Sequence, residues 1–487
     1  MNSRAHLQAD LAQVFESFQL PGLAVAVLAN GEISPFEFGY RDLATREPFT
    51  CTTLCLVASV SKSFTATLAG ILVDQGQVAW QEPVRHYWPE LHLVDEEATQ
   101  FMTLTDMLCH RTGLPYHENL LAEGVGRDLP GSGRDYRQKL LKRLAYFDPS
   151  QPFRTEFQYQ DIVFTCAGAL LESITGRNYE DLIQEHWLDP LGMTDSTFSR
   201  QAALATGRLA QGYGWVEGQI QPIPHCDTRY IAPSAGLYST ASDLMRWLQL
   251  QLEGGVWEGK PLISPASLRW IHRPHMAIGA QVSLVGGGLA TYGLGWIQSS
   301  IGSELMLSHG GSFNGYRTTV AFIPARGFGV AVLTNLNVSN ANTIGALVVM
   351  DRLLGQAQVE ARVAYGKRIA DRFAQQAAAA EQAFWAGRDP SAMPQHPLDN
   401  YVGQFQHPGY GTFTITQIDG CLWQTYDERT YPLDPYQGET FSTRFQSTEN
   451  RLLHLSFTFE TDAEGLVVAV RIPIVEDIPP PRFVRVV

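Results

Sequence analysis

The chain is short of charge, of lysine and of any long apolar run. Charged residues make up 17% of its 487 positions and hydrophobic residues 45%. That charge fraction is below the usual quarter, so an ordered globular protein is expected and a disordered one excluded. No stretch of 18 apolar residues occurs, and the first thirty residues are polar and then amphipathic (Leu7, Leu11, Val14, Phe15, Phe18), with no basic segment leading into an apolar one. The sequence as written thus carries no spanning helix and no secretory signal, and the expectation is a cytoplasmic protein without a membrane partner. Six cysteines, at 51, 55, 109, 166, 226 and 421, lack any Cys-x-x-Cys spacing and read as reduced core residues. Basic residues number 35 against 49 acidic ones, a balance of −14, which repels phosphate backbones and argues against nucleic acid as a partner. No glycine-rich phosphate loop follows a strand and no metal-ligand spacing is present, so neither a cofactor nor a metal is expected.

What is there is a chain long enough for roughly two to four domains, each with its own core. An N-terminal helix over about residues 4–18 leads to Pro21-Gly22 and an apolar run, Leu23 to Ala29, that meets the hairpin signal Asn30-Gly31. Helical patterns dominate from about 60 to 255, several ending at a glycine such as Gly76 or Gly176. Strands return over about 292–334, with Tyr316–Ile323 and Phe328–Thr334 flanking the turn Pro324 to Gly327. A further apolar helix over about 341–354 would cover the sheet assembled from both ends of this segment. The expected class is α+β, an antiparallel sheet flanked by helices. Beyond it lies an alanine-rich helical stretch, with Ala377 to Ala380, then Asp389-Pro390, Pro394 and Pro397, and then short alternating strands with turns at Pro408-Gly409, Asp419-Gly420 and Glu464-Gly465. We read residues 1–358 as the main domain, 359–396 as a helical linker and 397–487 as a small antiparallel β-barrel.

Three short segments carry chemistry. Ser59-Val60-Ser61-Lys62 opens a helix whose Phe64, Leu68, Ile71 and Leu72 recur at helical spacing, so Ser59 and Lys62 share one face at a helix start. A lysine held out of water can lose its proton and then take that of a serine. The chain has only five lysines, and arginine could not substitute in this role, because it is not deprotonated in a protein. The bland alternative is a lysine reaching for solvent. Phe157-Gln158-Tyr159-Gln160-Asp161 sets a phenol at another helix start, either as a proton carrier or as a core aromatic. Ser308-His309-Gly310-Gly311-Ser312 ends a strand, where the glycines let a substrate backbone approach and the Ser312 amide could face an oxyanion; otherwise it is a glycine turn beside a surface histidine. His110 reads as a structural histidine, and Asp106 as part of its helix start.

The order and spacing of Ser59-x-x-Lys62, Tyr159-x-Asp161 and His309-Gly310-Gly311 resemble the serine β-lactamase and penicillin-binding-protein superfamily, in its branch of class C-like esterases and D-aminopeptidases. Further matching stretches are TLTDMLCHRTGL from Thr103, Pro190-Leu191-Gly192-Met193, AGLYSTASDL from Ala235 and YGLGW from Tyr292. Residues 401–483, with Tyr410-Gly411-Thr412-Phe413, look like the lipocalin-like barrel appended to some of these peptidases. The resemblance implies a β-lactamase-like fold with a helical subdomain, and Ser59 as acyl-enzyme nucleophile with Lys62 and Tyr159 handling its proton. It also implies an oxyanion hole from the amides of Ser59 and Ser312, and substrate contacts from Asp161, His309, Gly310 and Gly311.

Two positions depart from that pattern. His309 stands where carboxylate-binding relatives carry lysine, which weakens the case for β-lactam hydrolysis and for trimming free C-termini. Asp161 stands where asparagine is usual, so it could tune Lys62, bind an amine or merely cap its helix. The expected activity is a serine hydrolase on a small peptide, amide or ester substrate, tolerant of D-residues. A peptide cyclase or acyl-transferring release enzyme would use the same residues, and a catalytically silent sensing or assembly protein is the alternative of another class. A homo-oligomer is left open, and the barrel is expected to shape substrate access rather than supply chemistry.

Overall fold

The computed structural model describes residues 3–486 apart from 118–119, 121–130, 217, 280–288, 390, 392, 427 and 447–451. Helix α1 (Ser3–Ser17) leads to the strand pair β1 (Gly22–Ala29) and β2 (Glu32–Asp42). The turn between them holds Asn30 and Gly31 at φ of +54° and +77°, the hand that matches the twist of the flanking strands. A short β3 (Glu47–Pro48) borders β2. Six strands follow much later: β4 (Met276–Ile278), β5 (Ala290–Tyr292), β6 (Ile297–Ile301), β7 (Glu304–Phe313), β8 (Tyr316–Ile323) and β9 (Phe328–Thr334). Among the described residues they form one nine-stranded antiparallel sheet in the order β4-β5-β6-β7-β8-β9-β1-β2-β3. β9 closes on β1 with Leu23 opposite Thr334 and Leu28 opposite Gly329, so the sheet is built from both ends of the segment, as the sequence implies.

Alternation along β1 divides it between two cores. Leu23, Val25 and Val27 pack with Leu11 and Val14 of α1, whereas Ala24, Ala26 and Leu28 face the opposite layer. That second layer includes α2 (Ser61–Asp74), α3 (Gly133–Arg143), α4 (Asp161–Thr175) and α5 (Ala241–Leu252), which lie between β3 and β4 in the chain. On the first face, Ile344 and Leu347 of α6 (Ala341–Leu353) join α1.

Helix α2 is buried from Ser61 to Leu72. A helix sunk this deep must satisfy its own alcohols, and it does: Ser63 Oγ donates to the Val60 carbonyl at 2.8 Å and Thr67 Oγ1 to the Ser63 carbonyl at 2.7 Å. Phe64 stacks on Trp247 of α5 with ring centroids 3.9 Å apart. Between α3 and α4 lies a buried ion cluster. Arg137 donates to Glu172 Oε1 at 2.6 Å and to Glu180 Oε1 at 2.8 Å, with the Arg137 and Glu172 side chains fully out of solvent. This clamp fixes the helix that carries Asp161.

Helix α7 (Val359–Ala386) buries Val359, Val363 and Gly366 near its start and is largely exposed beyond them. Of the proline signals after it, Pro390 lies outside the described residues, and Pro397 caps the turn Leu398–Tyr401. The barrel then closes through β10 (Gly403–His407), β11 (Gly411–Ile418), β12 (Cys421–Tyr426), β13 (Arg429–Gln437), β14 (Thr440–Gln446), β15 (Leu452–Thr461), β16 (Val467–Arg471) and β17 (Arg482–Val486). Aromatic rings fill it: Tyr401 lies 5.0 Å from both Phe441 and Phe459, and Phe405 5.6 Å from Phe413. Five cysteines are buried as expected, but Cys421 is exposed, because it opens β12 directly after the Asp419-Gly420 turn. No helix among the described residues is long and apolar enough to cross a membrane.

The ion cluster generates a stability prediction. Arg137→Met removes the cation and leaves the Glu172 carboxylate buried without its ion partner, still accepting from the Tyr179 amide. Breaking a buried pair in this way is expected to cost about 3–5 kcal/mol, read as a lower urea midpoint with an unchanged slope.

Candidate active site

A short turn, Ala58–Val60, delivers the chain into α2. Ala58 sits at φ +47°, a left-handed conformation that a residue bearing a Cβ adopts only under constraint. The constraint is local bonding: Ser61 Oγ donates to the Ala58 carbonyl at 2.7 Å and accepts from the Leu237 amide at 3.1 Å. The turn leaves Ser59 partly exposed while its neighbours are buried. One helical turn on, Lys62 has no solvent contact, so the bland reading of a lysine reaching for water falls. Its Nζ donates to Ser59 Oγ at 3.1 Å, to the Ser234 carbonyl at 3.0 Å and to Asp161 Oδ1. Those three acceptors match the three protons of an ammonium. Burial drives the Lys62 pKa below the ordinary lysine value, and the Asp161 carboxylate opposes that shift.

Tyr159 approaches from the other side. Its ring lies 4.7 Å from Lys62 Nζ, which places the phenol beside Ser59 and Asp161. Burial, reinforced by the charge of Asp161, pushes the phenol well above its usual pKa, so it stays protonated at neutral pH. Asp161 is the first residue of α4, but the capping role open to it in sequence terms belongs to Gln160, whose Oε1 accepts from the Ile162 amide at 3.0 Å. Asp161 instead faces Lys62. Behind the phenol, the His110 ring lies 4.4 Å from that of Tyr159, and His110 Nδ1 accepts from the Gln160 amide at 3.0 Å. His110 is therefore a packing and backbone partner. Among the described residues no group of histidine, cysteine and carboxylate side chains could hold a metal ion. Asp106 caps its own helix with Thr103 and pairs with Arg111 and Arg154, a structural role as read from sequence.

The third segment lies within β7. Its register with β6 ends at Ser308, while the pairing with β8 continues to Phe313, so residues 309–313 are paired on one side by these ladders. His309 is buried, not a surface residue. Its Nδ1 lies 2.7 Å from the Gly310 carbonyl, which only accepts, so that nitrogen carries the proton and Nε2 accepts from the Tyr292 hydroxyl at 2.8 Å. Burial, aided by the charge of Lys62, pushes the His309 pKa down to about 3. The imidazole is neutral and supplies no fixed cation. The two glycines differ in purpose. Gly310 is open, its nearest constraint the Thr318 carbonyl at 3.8 Å from a Cβ, whereas a Cβ on Gly311 would fall 2.1 Å from the Val57 carbonyl. Gly311 thus lets β7 lie directly on the turn that bears Ser59, and Ser312, partly exposed, follows it on the strand. Tyr292, Gln160 and the Ser234 carbonyl complete the surroundings. Sequence reading did not single them out, although the YGLGW stretch contains the first.

A fully buried lysine, a phenol ring and a partly exposed serine thus meet at one place, with Lys62 Nζ 3.1 Å from Ser59 Oγ and 4.7 Å from the centre of the Tyr159 ring. The family model described as Beta-lactamase matches residues 7–355. The chain belongs to the Beta-lactamase family. A second model, described as a domain of unknown function (DUF3471), matches residues 387–481. Among curated proteins, the chain is 28% identical over 417 residues to unguisins hydrolase ungD' of Aspergillus campestris, covering 83% of this chain and 76% of that protein. It is 24% identical to penicillin-binding protein 4 of Amycolatopsis lactamdurans, covering 69% and 86%. Among solved structures, the octameric penicillin-binding protein homologue from Pyrococcus abyssi aligns with a TM-score of 0.63 at 21% identity, over 99% of this chain and 100% of that one. The D-amino acid amidase from Ochrobactrum anthropi SV3 aligns with a TM-score of 0.58 at 22% identity, over 73% and 98%. These alignments establish the Beta-lactamase fold, and the first extends it through the barrel.

The Gly311 contact yields a direct test of how tightly β7 must sit in this Beta-lactamase family member. Gly311→Ala forces strand and turn apart. It is expected to cost about 1–3 kcal/mol by overpacking, measured as a lower urea midpoint with an unchanged slope.

Proposed function

We propose that the chain is a serine hydrolase that works through an acyl-enzyme at Ser59 on peptide, amide or ester substrates, with tolerance for D-residues. The observation that carries this reading is a fully buried Lys62 whose Nζ lies 3.1 Å from Ser59 Oγ, with the Tyr159 ring 4.7 Å from that nitrogen. In its free-base form Lys62 takes the serine proton as Oγ attacks the substrate carbonyl. The amides of Ser59 and Ser312 receive the developing oxyanion. Tyr159, a phenol held protonated by burial, passes a proton to the leaving group, and water then releases the acyl group along the reverse path. A silent binding protein would have no need of a fully buried lysine aimed at an accessible serine.

The surroundings support a substrate class. A neutral His309 leaves a substrate's free carboxylate without the cation that its position would otherwise offer, which favours amides, esters and blocked C-termini. Asp161 is committed to Lys62 and almost fully buried, which argues against its holding a free substrate amine. The names of two relatives, a hydrolase of unguisins and a D-amino acid amidase, are consistent with cleavage of amide bonds. Cyclisation would need the same residues and differs only in whether an amine or water takes the acyl group.

Two experiments test the reading. Ser59→Ala is expected to leave the fold intact and to lower turnover of p-nitrophenyl acetate by on the order of 10³-fold or more; turnover at the wild-type rate refutes the nucleophile assignment. Asp161→Asn removes the carboxylate that favours the ammonium form of Lys62. The lysine pKa then falls further, the free base persists at lower pH, and the acid limb of the acylation profile is expected to move to lower pH. A limb that stays or moves upward contradicts the role given to Lys62.

A further inference from the structure

We propose that Tyr410 of the barrel is a positioning residue for the Tyr159–Asp161 turn, acting through His117 and Gln160. This inference rests on the serine-hydrolase reading above. The β10–β11 turn of the barrel projects onto the main domain, where Gly409 packs so closely that a Cβ there would lie 2.9 Å from the Phe147 ring and 3.0 Å from Tyr146. Tyr410 follows it and is 1% exposed. It is held by its own domain: its carbonyl accepts from the Tyr426 hydroxyl at 2.9 Å, and its ring lies 4.9 Å from that of His407.

The hydroxyl of Tyr410 lies 3.1 Å from Nε2 of His117, a fully buried residue of the main domain whose ring centre lies 4.4 Å from that of Phe147. On the other side of the imidazole, Nδ1 lies 2.7 Å from the Pro115 carbonyl. Of the two groups facing Nδ1, the Pro115 carbonyl is the nearer and only accepts, so we assign the proton to Nδ1, and Nε2 takes the proton of Tyr410. The same Pro115 carbonyl accepts from the Gln160 side-chain amide, whose nitrogen therefore lies 2.9 Å from His117 Nδ1. Gln160 is pinned at two further points, through Oε1 to the Ile162 amide and through its own amide to His110. Its neighbours in sequence are Tyr159, whose ring lies 4.7 Å from Lys62 Nζ, and Asp161, which pairs with Lys62. A chain of buried polar contacts thus runs from the barrel to the turn that sets both groups. Packing alone would be served by phenylalanine at 410. The hydroxyl adds a lock on the His117 tautomer, and with it the bond that shares Pro115 with Gln160.

The test uses the full chain and compares wild type with Tyr410→Phe, which deletes one oxygen. The expected result is a kcat for p-nitrophenyl acetate lowered about 3- to 10-fold, a matching fall in the fluorophosphonate labelling rate at Ser59, and a KM within twofold of wild type. His117→Asn, which keeps the nitrogen facing Pro115 and loses the one facing Tyr410, is expected to show the same split. Phe147→Leu thins the same interface without touching the hydroxyl, and is expected to lower the thermal midpoint while leaving kcat near wild type. Wild-type kcat in Tyr410→Phe overturns the inference, as does an equal kcat loss in Phe147→Leu, which would reduce the contact to packing. A wild-type chain that takes no label at Ser59 overturns the serine-hydrolase reading and this inference with it. A labelled wild type with an unchanged Tyr410→Phe overturns the inference alone.

Discussion

A lysine amine with no access to water is the constraint around which the site is organised. Removing an ammonium from solvent costs several kcal/mol unless charge and hydrogen bonds replace the lost hydration. For Lys62 the replacement comes from three separate parts of the chain: the Ser59 hydroxyl one turn back, the Ser234 carbonyl, and the Asp161 carboxylate at the start of α4. Each can serve only if its own element is fixed. The buried face of α2, the Arg137–Glu172 clamp and the strained turn at Ala58 can all be read as conditions for holding those acceptors around one nitrogen.

The balance at that nitrogen is what distinguishes this chain from the pattern it resembles. Burial favours the neutral amine and the carboxylate favours the ammonium, so the two influences set the base strength between them. His309 shows the opposite solution nearby. With no carboxylate partner among the described residues, it is held neutral and serves through its two nitrogens as a bridge between Tyr292 and the Gly310 carbonyl. Two cations side by side would repel, and the position beside Lys62 is occupied by an imidazole that burial has discharged.

The fold was legible in the sequence where local signals were strong. Asn30-Gly31, the apolar run from Leu23 to Ala29, the glycine stops and the hairpin turns of the barrel each act over a few residues, and each appears in the structure where the pattern implied. The segments bearing Ser59, Lys62, Tyr159, Asp161 and His309 were legible as motifs, but their relations were not. That Asp161 faces Lys62 while Gln160 caps the helix depends on which way one turn rotates, and no spacing rule reports it. Gly311 reads as room for a ligand and proves to be room for the Val57 carbonyl. His117 and Tyr410, 293 positions apart, carry no local signal, since neither residue type is unusual in its own segment. Contacts across such distances arise from domain docking, which a one-dimensional pattern does not encode.

The pairing of β1 with β9 has a consequence for how the chain is made. Leu23 finds its partner at Thr334, so about 300 residues must be synthesised before this fully apolar strand gains its second neighbour; at about 5–20 residues per second that wait is tens of seconds. Throughout it, β1 has only the β2 hairpin on one edge and an open, hydrophobic edge on the other, a template for pairing with the wrong chain. Completion of the sheet is also a closure of very high contact order, slow in itself. The nascent protein therefore spends its most aggregation-prone interval before the site exists at all, and molecular chaperones that cover exposed apolar strands would act on it then, through β1.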